Sequence, residues 1–298
     1  MLENLILDWD GVFTIIEKEA QPYLAHYPLA FASKTKLDEI EVVKRAEVLR
    51  ERIAANPDSD MVVNGHIVAR ANVTPYDINR TAFLTLLNQL RAEGHSNLPL
   101  DCMESDFLHQ LHKESHQKVV NVYRQGAKEC LQGLLDCGYS IVVVTSSGTE
   151  KVEENLMELG FSQIPVLGSA KKYNVEPQIT AVPESIQIPG FRRPTLIRRG
   201  SYLRILQQLD EHRGFNSKNT AVVGEVFEHD LALPLQMGYR SIFLVTPAAS
   251  DLEITFLSEV PKGKVVQDLR ELSDYLNRLR ITNQSFYQEP NSLRINPR

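Results

Sequence analysis

The strongest constraint on the fold is a rhythm of short apolar runs, each breaking off at small, hydroxyl or acidic residues and each followed by a helix-length segment. The first run, Leu5-Ile6-Leu7, ends abruptly in Asp8-Trp9-Asp10-Gly11. From Gly126 the pattern recurs without interruption. A helical stretch at 127–137 is closed by Gly138, the run 140–144 ends in Thr145-Ser146-Ser147-Gly148, and a second helical stretch at 150–159 is closed by Gly160. Further runs at 165–167, 220–223, 241–245 and 265–266 alternate with helical segments at 202–209, 231–237 and 269–276. Runs that are apolar at every position belong to strands buried on both faces, and repeated strand-helix units imply right-handed crossovers, a parallel sheet and helices on both sides.

Residues 17 to 121 break this rhythm. Leu37, Ile40, Leu49 and Ile53 fall on one face of a charged helical segment. Thr74-Pro75-Tyr76-Asp77 supplies an N-cap, a proline at the first helical position and an acid two residues later, with Gly94 as the stop. Tyr23, Tyr27 and Phe31 recur at helical spacing and read as interior of this segment. The expected fold is therefore α/β, a Rossmann-like parallel-sheet core at 1–16 and 122–279 with an α-helical domain inserted at 17–121 and a polar tail at 280–298. The four prolines between 173 and 197 predict a loop or small hairpin.

Composition excludes several functions. A chain of 298 residues with 43% apolar content has room for about two domains. Its 32 basic and 38 acidic residues give a net charge of -6 with no polybasic block, which argues against nucleic acid as a partner. No apolar run approaches the roughly 20 residues that span a bilayer, and the opening MLENLILDWD lacks a basic leader, so neither a membrane nor export is implied and a cytoplasmic location is expected. Cys102, Cys130 and Cys137 form no C-x-x-C pair and no disulfide framework, and Cys130 and Cys137 read as small buried hydrophobes.

Chemistry is to be sought where strands end, because open parallel sheets bind ligands at their carboxyl edge. Asp8 and Asp10 end the first run, Thr145 and Ser146 the second, and Gly224-Glu225 with Asp230 a third. Carboxylates gathered without histidine or thiolate suit a hard cation such as Mg²⁺. A cation that screens a carboxylate nucleophile from a phosphate lets the two anions approach, while the second acid handles the proton.

These segments resemble the conserved motifs of the haloacid dehalogenase superfamily. Leu5 to Val12 is similar to the first motif, Ile141 to Ser146 to the second, and Val222-Val223-Gly224-Glu225 with Asp230 to the fourth, whose first acid is here glutamate. The resemblance implies a Mg²⁺-dependent phosphatase acting on a small phosphorylated metabolite, with a mobile helical cap between the first two motifs. It assigns Asp8 as nucleophile, forming an aspartyl-phosphate, and Asp10 as general acid and base with its carbonyl toward the metal. Thr145 and Ser146 would bind phosphate, Glu225 would ligate the metal, and Asp230 would serve it directly or through water. The family's lysine of the third motif has no clean counterpart: Arg199 ranks first, Arg198 second, and Lys171 or Lys172 third. The cap would close at 14–18 and 121–125. A phosphomutase uses the same residues, and a binding protein with impaired catalysis would account for the altered third and fourth motifs. A 2-haloacid dehalogenase needs no second acid, so Asp10 argues against it. His109, His112 and His116 share one helical side and are expected to flank an apolar face.

Overall fold

The computed structural model describes residues 1–285 except 64–65, 96–97, 99–103 and 248. Cys102 and the tail beyond 285 thus lie outside the described residues. Strand β1 (Asn4–Leu7) opens the chain and is followed by helices α1 (Ile16–Glu19), α2 (Gln21–Thr35) and α3 (Glu39–Ala54). Strands β2 (Asp60–Val63) and β3 (His66–Arg70) come next, then α4 (Pro75–Ala92) and α5 (Glu104–His116). The chain re-enters the sheet through α6 (Ala127–Asp136), β4 (Ser140–Val144), α7 (Thr149–Leu159) and β5 (Val166–Leu167). A small hairpin, β6 (Ser185–Ile186) and β7 (Thr195–Leu196), fills the proline-rich stretch. Then follow α8 (Gly200–Arg213), β8 (Thr220–Gly224), a π-helical turn at Phe227–Leu231, α9 (Ala232–Gln236), β9 (Arg240–Leu244), α10 (Asp251–Glu259), β10 (Gly263–Val266) and α11 (Leu269–Ser285).

Six strands form one parallel sheet in the order β10-β9-β8-β1-β4-β5. Leu5, Leu7, Val143 and Val223 face one hydrophobic cluster, beneath α6, α7 and α11. Ile6, Val142, Val144 and Val222 face the other, beneath α8 and α9. Period-two alternation thus buries both faces, which is why these runs carry no polar residue between their ends. Leu7 pairs with Val143 on one side and Val223 on the other, so β1, β4 and β8 end level with one another. From β1 the chain builds toward β5 on one side and, later, toward β10 on the other; β1 is the switch point of the sheet.

The inserted segment has a core of its own, in which Tyr23, Tyr27 and Phe31 pack with Phe83, Leu86 and Leu87. Thr74 caps α4 by accepting from the Asp77 amide at 3.1 Å. Three details correct the sequence analysis. Ile40 is 79% exposed, because α3 begins only at Glu39 and its buried stripe is Val42, Ala46, Leu49 and Ile53. Strands β2 and β3 interrupt the helices, and α10 lies between β9 and β10, started by a capping box of Ser250 and Glu253. Where the insertion leaves and rejoins the core, Thr14 bridges Tyr123 in antiparallel fashion and Ile15 donates to the Val122 carbonyl. The buried Glu19 carboxylate holds both passages, accepting from the Thr14 hydroxyl at 2.9 Å and from the Val122 amide at 3.2 Å. Cys130 is buried and Cys137 half-buried. Among the described residues no helix is long and apolar enough to cross a membrane.

Candidate active site

The level ends of β1, β4 and β8 bring Asp8, Thr145 and Glu225 to one rim. Asp8 follows β1 directly and its amide still donates to the Val223 carbonyl, so the carboxylate is fixed to the sheet. Lys172 Nζ lies 2.7 Å from Asp8 Oδ1 and 2.8 Å from Asp230 Oδ1, all three groups being buried. The other Asp230 oxygen accepts from the amides of Glu225 and Val226 at 3.2 and 3.0 Å. Both oxygens of Asp230 are therefore engaged, one by Lys172 and the other by the loop that presents Glu225. A Cβ on Gly224 would stand 2.3 Å from the Asp230 Cβ, which explains a glycine there.

The turn after β1 aims the second acid. Asp10 accepts from the Thr145 hydroxyl at 3.3 Å through Oδ2 and pairs with Lys151 Nζ at 3.2 Å through Oδ1. Gly11 has φ +75°, and a Cβ there would come within 2.6 Å of the Glu225 side chain. Only glycine both takes that conformation and lets Glu225 lie against the turn. Ser146 is exposed, and its hydroxyl accepts from the Lys172 amide at 3.1 Å.

Charge is unbalanced at this rim. Burial first, then the neighbouring Asp230, pushes the Asp8 carboxyl up to about 8, with Lys172 pulling the other way. Burial, Asp230 and Asp8 hold Glu225 well above the usual carboxylate range. It accepts from the Thr246 hydroxyl at 3.4 Å. Lys172 stands above its ordinary range, because Asp230 and Asp8 outweigh a burial that alone would lower it. One lysine does not neutralise three buried acids, and an all-oxygen donor set of this kind fits a hard divalent cation. Among the described residues no three acid, histidine or cysteine side chains gather closely enough to hold an ion by themselves. The fit is accordingly to an ion that takes two carboxylates, Asp8 and Glu225, and completes its shell with backbone oxygen and water, as Mg²⁺ commonly does.

Arg199 is not beside Asp8. Fully buried, it pairs with Glu228 at 3.3 Å and donates to the carbonyls of Lys172 and Val68 at 3.1 and 3.0 Å. Arg198 reaches the Pro177 carbonyl, also away from the rim. The cation that touches Asp8 is Lys172, ranked only third from the sequence. Sequence reasoning searched before the helix at 200, whereas the loop after β5 delivers the lysine 28 residues earlier, coiling through left-handed Ser169 (φ 53°) and Lys171 (φ 46°). Lys151 was missed altogether. Its position on the first turn of α7, behind the Thr145-Ser146 strand end, is the signal that could have found it.

Glu228 was missed too. In the π-helical turn between Glu225 and Asp230, it accepts two bonds from Arg193, at 2.9 and 3.0 Å, and one from the Arg70 amide at 3.0 Å. Arg193 also donates to Asp60 at 2.8 Å, and the Arg70 guanidinium pairs with Glu253. Strands β2 and β3 of the insertion are thereby tied to the loop that carries Glu225.

Comparison with known proteins places this architecture. A structure from Haemophilus somnus 129PT, described as a predicted phosphoglycolate phosphatase, superposes with a TM-score of 0.54 at 13% identity, over 92% of this chain and 98% of that one. A HAD phosphatase from Thermococcus onnurineus gives a TM-score of 0.49 at 15% identity, over 92% and 98% of the two chains. The fold is that of the haloacid dehalogenase superfamily. An L-2-haloacid dehalogenase is also similar, with a TM-score of 0.44 at 13% identity, over 93% of this chain and 100% of that one. No protein-family model matches the chain, and neither does any curated protein sequence. A fold by itself does not fix a reaction, so the choice of reaction rests on the site itself.

Proposed function

We propose that the protein is a Mg²⁺-dependent phosphatase that hydrolyses a small phosphorylated metabolite. The observation that carries this reading is the contact of Lys172 with both Asp8 and Asp230 at the switch point of the sheet, with Asp10 held one turn away on Thr145. In this reading Asp8 attacks phosphorus and the ester oxygen departs, leaving the phosphoryl group on the Asp8 carboxylate. Asp10 delivers a proton to the departing oxygen, then takes one from the water that hydrolyses the aspartyl-phosphate. Lys172 and the Thr145 hydroxyl bear on the phosphoryl oxygens, while Ser146 lines the same strand end. Mg²⁺, held by Asp8 and Glu225 with the Asp10 carbonyl, would offset the negative charge shared by nucleophile and phosphate.

A haloacid dehalogenase reaction is disfavoured by the second acid and by Glu225, which that reaction does not need. The test is phosphate release from an aryl phosphate with and without Mg²⁺, in the wild type and in Asp8→Asn. Turnover that needs Mg²⁺ and falls at least 100-fold in Asp8→Asn is expected, because an amide neither attacks phosphorus nor carries charge to the ion. Retention of more than about a tenth of the activity in Asp8→Asn, with deamidation excluded by mass spectrometry, would remove Asp8 from its role.

A further inference from the structure

Between the two acids of the first turn stands Trp9, the one tryptophan of the chain. It is fully buried, stacks on Phe13 with ring centroids 5.4 Å apart, and belongs to the cluster that contains Val152 and Leu156 of α7. An indole N–H taken out of water needs an acceptor. That acceptor comes from α7. The inward stripe of this helix is Val152, Asn155 and Leu156, so a fully buried polar side chain occupies a place that helical spacing would give to an apolar one. Asn155 accepts from Trp9 Nε1 at 3.1 Å, and its amide nitrogen donates to the Lys151 carbonyl at 3.1 Å, the orientation in which both ends of the amide find partners.

Asn155 and Lys151 lie four residues apart and so share one side of α7. Lys151 Nζ holds Asp10 Oδ1 at 3.2 Å, while Asn155 holds the residue before it. The helix therefore grips two successive residues of the turn. Asp8 does not depend on that grip, because its amide is bonded to the Val223 carbonyl of the sheet at 2.9 Å and its carboxylate to Lys172 at 2.7 Å. Asp10 is placed differently: Thr145 and Lys151 bond its carboxylate from the side, at 3.3 and 3.2 Å. A turn whose first acid is fixed by the sheet and whose second is steered through its neighbour responds unequally when that neighbour is released.

We infer that Asn155 is a positioning residue: through Trp9 it sets where Asp10 stands, and so the delivery of a proton to the departing oxygen, while the attack by Asp8 is left in place. The inference rests on the phosphatase reading above and adds to it a residue that touches neither phosphate nor metal.

The leaving group separates proton delivery from attack. Propyl phosphate must have its alkoxide protonated as it departs, whereas 4-nitrophenyl phosphate releases a stable anion. Asn155→Leu keeps a similar shape and removes the acceptor. With Mg²⁺ it should lower kcat/KM for propyl phosphate about tenfold more than for 4-nitrophenyl phosphate, since a small misplacement of a reacting group is costly. Trp9→Phe keeps an aromatic ring, removes the N–H and should show the same split, and the double variant should show it no larger than either single one. A lone tryptophan also gives a lone indole cross-peak in a proton–nitrogen correlation spectrum, so the bond is read without turnover. In Asn155→Leu the indole proton should move upfield; in Asn155→Asp, which still offers an oxygen, it should not. Equal losses on the two esters, losses that multiply in the double variant, or an indole resonance that Asn155→Leu leaves in place would overturn the inference. Should Asn155→Leu not fold, the split in Trp9→Phe decides. If the wild type hydrolyses neither ester, the phosphatase reading itself falls and the role in proton delivery falls with it; wild-type turnover of both esters with equal losses in the variants strikes only the inference.

Discussion

Replacing Glu228 with alanine should destabilise the protein more than any surface charge change, and the structure sets the size of the loss. The carboxylate is buried among Arg193, Arg199 and the Arg70 amide, and it also accepts from the Leu196 amide at 3.2 Å. Its removal leaves the fully buried Arg199 guanidinium without a counter-charge and strands two amides. Breaking a buried ion pair by deleting one partner costs about 3 to 5 kcal/mol, out of a typical total stability of roughly 5 to 15 kcal/mol. For a chain of this size that corresponds to a fall in Tm of roughly 5 to 8 °C by calorimetry. Arg204→Ala is the control: it breaks a pair with Glu176 in which Arg204 is 56% exposed, and such pairs contribute about 0 to 1 kcal/mol. Hydrogen exchange adds a local readout, because the Arg70 amide bonded to Glu228 should exchange faster in Glu228→Ala. A Tm within about 2 °C of wild type, or unaltered exchange at β3, would refute the reasoning that this network pins the insertion to the core.

Two further outcomes follow from the same geometry. Gly11→Ala should weaken Mg²⁺ binding at least tenfold by calorimetric titration, because its new methyl group would stand 2.6 Å from the Glu225 side chain in a left-handed turn; an unaltered affinity would detach Glu225 from the metal. Acid should also act through Glu228: burial alone would raise its carboxyl, but the Arg193 hydrogen bonds and the charges of Arg199 and Arg193 bring it from 4.5 down to about 2. A depressed carboxyl contributes stability that is complete above its unfolded value and is lost as pH falls toward the folded one. Between pH 5 and 2, Glu228→Gln should therefore lose about 3 kcal/mol less than wild type, measured by denaturant unfolding, and parallel curves would contradict this.

What the sequence discloses and what it hides divide along the range of the interactions involved. The strand ends were readable because burial on both faces forces Leu5-Ile6-Leu7 and the 141–144 run to be apolar, so the first polar residue after each marks the rim. The Thr74 cap was readable because it is satisfied within three residues. Lys172 was readable only as a third choice beside Lys171, because nothing near it in sequence announces that a loop will coil through two left-handed residues to meet Asp8, 164 positions away. The pairing of β2 with β3 did leave a local trace, since Asn64-Gly65 stands between the apolar runs Met61-Val62-Val63 and Ile67-Val68-Ala69. Charge in the surrounding helices masked it. Glu228 was invisible for the opposite reason: its partners Arg70, Arg193 and Arg199 come from distant elements, and a glutamate in a turn otherwise reads as solvated.

The insertion is fastened at two separated places, the Glu19-bound passages at Thr14 and Tyr123 and the arginine-laden strands at Glu228. A rigid body held at two points retains one easy freedom, rotation about the line that joins them. Residues near that line hardly travel, whereas those farthest from it sweep the greatest arc. Rocking about this axle would shift the helices of the insertion against the core while the bonds at Glu19 and Glu228 stay in place. Spin labels placed on α5 and α7 would register such rocking as a changing separation during turnover, against a constant one between β2 and α9. Motion of this kind would let the insertion move as one piece without breaking the bonds that fasten it.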